Sequence, residues 1–303
     1  MRRPVLVALA AAAALVFSGC SQPGTPEKPQ VVVTTNILGD VTRQVLGDQA
    51  EVTTLMQPNA DPHSFEISAQ QAALMGGADL VVSNGLGLEE GLQQHLDRAS
   101  KAGAPMLVAG EIIDVVPYGS GDAEGAPDPH FWTDPAAVLK VVDALESEAA
   151  KIDGIDARRL AASAAAYRDQ LTQLDTEMTG AFAGISKERR ALVTNHHVFG
   201  YLAKRFDFQV VGAVIPGGTT LAAPSAADLR QLSEAIRSAG VPTIFADSSQ
   251  PDRLVQVLAT ESGVNVQVTE LFTESLTGPD GGAATYLDMM RANTERIVTG
   301  LTN

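Results

Sequence analysis

With one cysteine in 303 residues, the chain cannot form an internal disulfide. It is also short of positive charge. Its 21 Lys and Arg stand against 36 Asp and Glu, a formal net charge of −15, which excludes nucleic-acid binding driven by charge. No His-Glu-x-x-His run occurs, so the helical signature of many zinc hydrolases is missing. Histidine itself is scarce, with five in the whole chain, and this makes the placing of each one informative.

The N-terminus sets the compartment. Arg2 and Arg3 precede an Ala-rich apolar run from Val5 to Phe17, too short for a transmembrane span, that ends in Ser18-Gly19-Cys20. Residues 1–19 read as a lipoprotein signal peptide, and Cys20 falls where a lipobox-like motif places the lipidated residue. The expectation is a protein exported across the inner membrane, either periplasmic or anchored through Cys20 at the outer face of the cell membrane. Loss of the two arginines with the leader moves the net charge to −17. Residues 20–30, rich in proline and polar groups, read as a flexible tether.

Beta-rich runs alternate with helical patterns along the rest of the chain, an order that argues for parallel sheets with crossover helices. The second half echoes the first: RALVTNHHVFGYLAKRF then FQVVGAV follows the plan of QVVVTTNILGDVTRQVL then AEVTTLM. At about 150 residues per domain the length fits two units. The expected fold class is α/β, with two similar, mostly parallel lobes over residues 31–155 and 185–303. Between them, Leu160, Tyr167, Leu171, Leu174, Met178 and Phe182 form one helical stripe with no proline, which predicts a linking helix over 156–184. Two shorter helices broken near Gly180 are the alternative.

Three histidines occupy separate loop contexts: His63 in NADPHSFE, His130 in DPHFWTDP and His196 in VTNHHVFGY. Pro62 biases the chain towards extended structure, and Ser68 with Gln71 forms a capping box for the next helix, so His63 is displayed at a sheet edge. Trp132 and Asp134 stand where they would wall the His130 site or bond its ring. Adjacent side chains on regular backbone rarely reach one ion, so one of His196 and His197 supplies the third imidazole. His95, in the polar helical stretch LEEGLQQHLDRAS, reads as an exposed surface residue. Three imidazoles suit zinc, and a carboxylate would complete a tetrahedron. Glu274 in LFTESL is the better candidate and Asp247 in IFADSSQ the alternative. The 118–127 loop, rich in Gly and acidic residues and without histidine, reads as a mobile surface loop.

With these residues in place, the chain resembles the cluster A-I family of metal-binding solute receptors of ABC transporters. MQPNADPHSFE, DPHFWTDP, HHVFGYLAKRF, APSAADL, IFADSSQ, ESGVNV, LFTESL and the ending YLDMMRANTERIVTGL fall in that family's order. The resemblance implies metal ligands at His63, His130, His196 and Glu274, two lobes around a metal-binding cleft, and no enzymatic activity. It also implies Zn(II) as transported ligand, with Mn(II) second, an ABC permease as partner, and a monomer that binds no nucleic acid. A manganese receptor, an adhesin of the same fold and a zinc hydrolase are the competing readings.

Overall fold

The structure is a computed structural model and describes residues 28–261 and 266–302. The expected signal peptide, Cys20 and all but the last residues of the expected tether lie outside the described residues. Among those described, no helix is long and apolar enough to cross a membrane.

The first sheet contains β1 (Gln30–Val33), β2 (Glu51–Thr54), β3 (Leu80–Ser83) and β4 (Met106–Val108), all parallel, in the order β2-β1-β3-β4. Crossovers run through α1 (Asn36–Leu46), α2 (Ala69–Gly76) and α3 (Gln93–Lys101), and α4 (Pro135–Ala149) follows the sheet. The second sheet repeats the plan. Its strands β5 (Ala191–Thr194), β6 (Gln209–Ala213), β7 (Thr243–Asp247) and β8 (Gln267–Leu271) are ordered β6-β5-β7-β8, again parallel. Here the helices are α6 (Gly200–Phe206), α7 (Ala226–Ala239), α8 (Arg253–Glu261) and the closing α9 (Tyr286–Thr302). Strands β3, β5 and β7 are buried along their whole length, as expected of parallel strands covered on both faces. In both sheets the strand order reverses beside the first strand of the unit, which opens a crevice at the carboxyl ends of the strands.

Helix α5 (Ala157–Ala183) joins the two units and is continuous through Gly180. Asp156 caps its start, accepting from the backbone N–H of Arg158 and Arg159 at 2.9 and 3.0 Å. Its 27 residues extend about 40 Å at 1.5 Å per residue. The predicted stripe, with Ala164, is its buried face. That face lies in one apolar core running from Val31, Val33 and Val82 of the first unit to Leu192, Phe245 and Leu271 of the second. At the far end Phe182 meets Phe206 and Phe208 edge-on, with ring centroids 5.1 and 5.0 Å away.

A polar seam adds to this core. Asn36 on α1 donates to Ser275 Oγ at 2.7 Å and accepts from Leu276 N–H at 2.9 Å. Trp132 donates to the Thr273 carbonyl at 2.8 Å, and the Tyr286 hydroxyl donates to the Trp132 carbonyl at 2.6 Å. Segment 273–286, although it follows β8, is therefore sewn onto the first unit. Leu174 is fully buried in the shared core. Leu174→Ala is expected to lower stability by about 2–5 kcal/mol in urea unfolding, and a change below 1 kcal/mol, also roughly judged on that scale, would mean that the α5 seam is not tightly packed.

Candidate metal centre

The four candidate ligands sit on loops that leave carboxyl ends of strands: His63 after β2, His130 beyond β4, His196 after β5 and Glu274 after β8. Two of these loops share a local device. In Asp61-Pro62-His63 the Asp61 carboxylate turns back to accept the His63 backbone N–H at 2.9 Å. In Asp128-Pro129-His130 the Asp128 carboxylate accepts the His130 backbone N–H, also at 2.9 Å. Proline fixes one torsion of each turn and the aspartate closes the rest, so the imidazole leaves a defined backbone. Two residues past β5, the His196 carbonyl accepts from the Thr194 hydroxyl at 2.5 Å. Glu274 is flanked by Thr273 and Ser275, both fixed by the interlobe seam.

These loops bring His63, His130, His196 and Glu274 together in a fully buried group whose donor atoms all lie within 4.8 Å of one another. His63 Nε2 is 3.3 Å from His130 Nε2, which is 3.3 Å from Glu274 Oε1. His196 Nε2 lies 2.8 Å from the same oxygen, and His63 Nε2 is 4.0 Å from Glu274 Oε2. A tetrahedral ion with bonds of about 2.0–2.1 Å needs donors roughly 3.3 Å apart. Three nitrogens and a carboxylate at this spacing suit one small divalent cation, and hydrogen bonding within the group leaves Glu274 Oε2 without a partner.

Burial sets the charge of each donor. Desolvation holds the His130 imidazole down to about 3, with Glu274 opposing and His196 adding to the shift. His63 and His196 are lowered for the same first reason. The imidazoles are thus neutral at physiological pH, the form that binds metal. Glu274 is pushed well above the usual carboxylate range by desolvation, which His130 opposes. His130 Nδ1 lies 2.7 Å from Asp128 Oδ1; with the proton on Nδ1, the Nε2 lone pair faces the centre.

Several expectations need correction. The carboxylate beside the His130 ring is Asp128, not Asp134. Asp134 instead caps α4, accepting from Ala136 N–H at 2.8 Å, and faces Arg205. Asp128 was legible from the repeated Asp-Pro-His sequence, as was Asp61. His197, the alternative to His196, is buried outside the group, its ring edge-on to Tyr118 at 6.2 Å. Asp247 is buried and accepts from Ser249 N–H at 2.6 Å, outside the group. His95 lies on α3, half-buried rather than exposed and outside the group.

The 118–127 loop lies at the surface, exposed from Gly119 to Pro127 apart from half-buried Ala123, but it is anchored at several points. Tyr118 is buried, and the segment folds as a hairpin through Tyr118 N–H to Ala126 O and Gly125 N–H to Tyr118 O, both 2.9 Å. The Tyr118 hydroxyl donates to Gly218 O at 3.0 Å and lies 3.4 Å from His130 Nδ1, and Asp122 N–H reaches Pro216 O at 3.1 Å. At Gly121, with φ at +81°, a Cβ would come within 2.3 Å of Pro216 O and 2.9 Å of His197 Nε2. Composition gives no sign of these anchors, a buried aromatic and partners about a hundred residues distant.

The family model described as ZnuA, zinc-uptake complex component A, periplasmic, matches residues 31–300. The chain is 30% identical over 280 residues to the zinc-binding protein TroA of Treponema pallidum (strain Nichols), covering 90% of this chain and 89% of that protein. It is 27% identical over 293 residues to the manganese-binding lipoprotein MntA of Halalkalibacterium halodurans, covering 95% of each. Among solved structures, the periplasmic zinc-binding protein TroA from Treponema pallidum is similar with a TM-score of 0.83 at 28% identity, over 91% of this chain and 100% of that one.

Burial lowers the imidazoles and raises the Glu274 carboxyl, so zinc uptake at mildly acidic pH is expected to release protons chiefly from Glu274. Calorimetry in two buffers of different ionisation enthalpy would measure the release. Glu274→Gln should remove most of it, and an unchanged release would place the proton on another group.

Proposed function

Because the chain belongs to the zinc-uptake complex component A family, whose members are solute-binding receptors and not enzymes, we propose that it captures Zn(II) outside the cytoplasm and delivers it to the permease of an ABC importer. The observation that carries this reading is the buried convergence of three neutral imidazoles with one carboxylate. In it His63, His130, His196 and Glu274 are the ligands, and zinc is cargo. Residues 31–155 and 185–303 act as two jaws, and residues 156–184 join them.

Donor chemistry supports zinc over manganese. Imidazole-rich, four-coordinate sites suit Zn(II), whereas Mn(II) is better served by more oxygen ligands. The named relatives include both a zinc-binding and a manganese-binding protein, so the donor set is what favours zinc. A lipidated Cys20 would hold the receptor at the membrane, within reach of the permease, and the unit works as a monomer.

Competition titration of the metal-stripped protein with Zn(II) and Mn(II) against a chromophoric chelator tests the reading. One tight zinc site with far weaker manganese binding is expected. A preference for manganese, or no tight site, would overturn it. His63→Ala and His130→Ala should each weaken zinc by more than the roughly 10–100-fold that loss of a supporting partner costs. His95→Ala should have no effect, and Glu274→Ala a smaller one than either histidine. His196→Ala should exceed His197→Ala, and the reverse order would move the third ligand by one residue.

A further inference from the structure

Glu89 is a fully buried carboxylate far in sequence from every candidate ligand, and the metal centre makes no direct use of it. Burial pushes its carboxyl up, opposed by its hydrogen bonds. Its Oε1 accepts the Thr34 hydroxyl at 2.6 Å and the Asn84 backbone N–H at 2.7 Å, and its Oε2 accepts Gly85 N–H at 3.1 Å. These donors lie at the carboxyl ends of β1 and β3, where the strand order reverses.

The backbone that Glu89 holds is unusual. Gly85, Leu86 and Gly87 have φ of +75°, +56° and +81°, three consecutive residues in the left-handed region. For Leu86 this conformation is unfavourable, and it persists only where surrounding contacts over-determine it. Gly85 has no alternative, since a Cβ there would lie 2.4 Å from Val108 Cγ1. Strain held in place by a buried carboxylate calls for a recipient of the order it creates.

Asn84 identifies that recipient. Its carbonyl accepts Gly110 N–H at 2.8 Å and its N–H goes to Glu89, so its backbone is fixed on both sides. Its side-chain amide then donates to the carbonyl of Pro129 at 3.0 Å, 45 residues away, inside the Asp128-Pro129-His130 turn. The His130 ring is thus steadied twice, by Asp128 from its own turn and by Asn84 from the end of β3.

We infer that Asn84 and Glu89 are positioning residues of the metal centre: Glu89 locks the left-handed turn at 84–89, and Asn84 passes that order to His130 through the Pro129 carbonyl. The inference rests on the reading of His130 as a metal ligand. Removing the tether should loosen the aim of one imidazole without altering any donor. The expected loss is that of a partner supporting a metal-bound histidine, about 10–100-fold in affinity.

The experiment is zinc competition titration of the full chain carrying Asn84→Ala and, separately, Asn84→Leu, which nearly keeps the size but cannot donate to Pro129. The absorption spectrum of the Co(II)-substituted protein reports ligand geometry in the same samples. Both variants should bind zinc about 10–100-fold more weakly and show altered Co(II) bands. Leu174→Ala, destabilised at a distance, should change neither, which separates positioning from general loss of stability. If the Asn84 variants do not fold, Thr34→Val removes one hydrogen bond to Glu89 at near-constant volume and should weaken zinc in the same direction. His130→Ala is titrated in parallel. Unchanged affinity and spectrum in the Asn84 variants, with binding lost in His130→Ala, would overturn this inference alone. Tight binding by His130→Ala would overturn the ligand assignment and the inference with it.

Discussion

Desolvation of four donor groups is the constraint on which the rest of the structure depends. A charged imidazole is poorly tolerated where water is excluded, so burial alone keeps His63, His130 and His196 in the form that offers a lone pair. The same burial pushes the Glu274 carboxyl up, towards its protonated form, which an arriving cation opposes. The acidic exterior plays a separate, long-range part, since a net charge of −15 mildly favours the approach of any cation without distinguishing among them.

Holding four buried donors in register requires rigid supports, and the fold supplies them from both units. Two Asp-Pro-His turns present His63 and His130 with the same backbone closure. Glu274 arrives from the second sheet, but Trp132 and Asn36 tie its neighbours to the first unit. Three donors therefore share one frame, and His196, on the loop after β5, is the donor contributed by the other. Asp61 also crosses the cleft, accepting from Thr220 and Gln250 at 2.6 and 2.8 Å. The cleft is closed by short polar links above a shared apolar base.

Much of this is legible in the sequence because it is local. Strand and helix periodicity gives the α/β class, and the stripe from Leu160 to Phe182 gives a helix of the observed extent. His196 and Glu274 each follow a strand-like run, His63 and His130 stand beside prolines in loops, and parallel sheets gather such positions at one edge. What the sequence hides is partnership over distance. Asp134 looked like the partner of His130 because it is near in sequence, yet its place at the start of α4 makes it a cap. Asp128 carries that role, and only the recurrence of Asp-Pro-His hinted at it. The 118–127 loop reads as mobile because glycine and acidic residues dominate it, whereas Tyr118 and the Pro216–Gly218 carbonyls anchor it. Glu89 gives no local sign of its importance, since a lone glutamate beside a glycine-rich turn usually faces solvent.

The apolar core is continuous from Val31 to Leu301 along α5, beside a smaller cluster private to each unit, so a large part of the stability of the two units is held in common. A ligand that binds the folded chain and not the unfolded one raises stability by RT ln(1 + [L]/Kd). Here that increment draws on both units, because the donors come from loops of both units over the core they share. Cargo thus tightens the protein as a whole, and heat or protease resistance becomes a gauge of how much of the population is loaded.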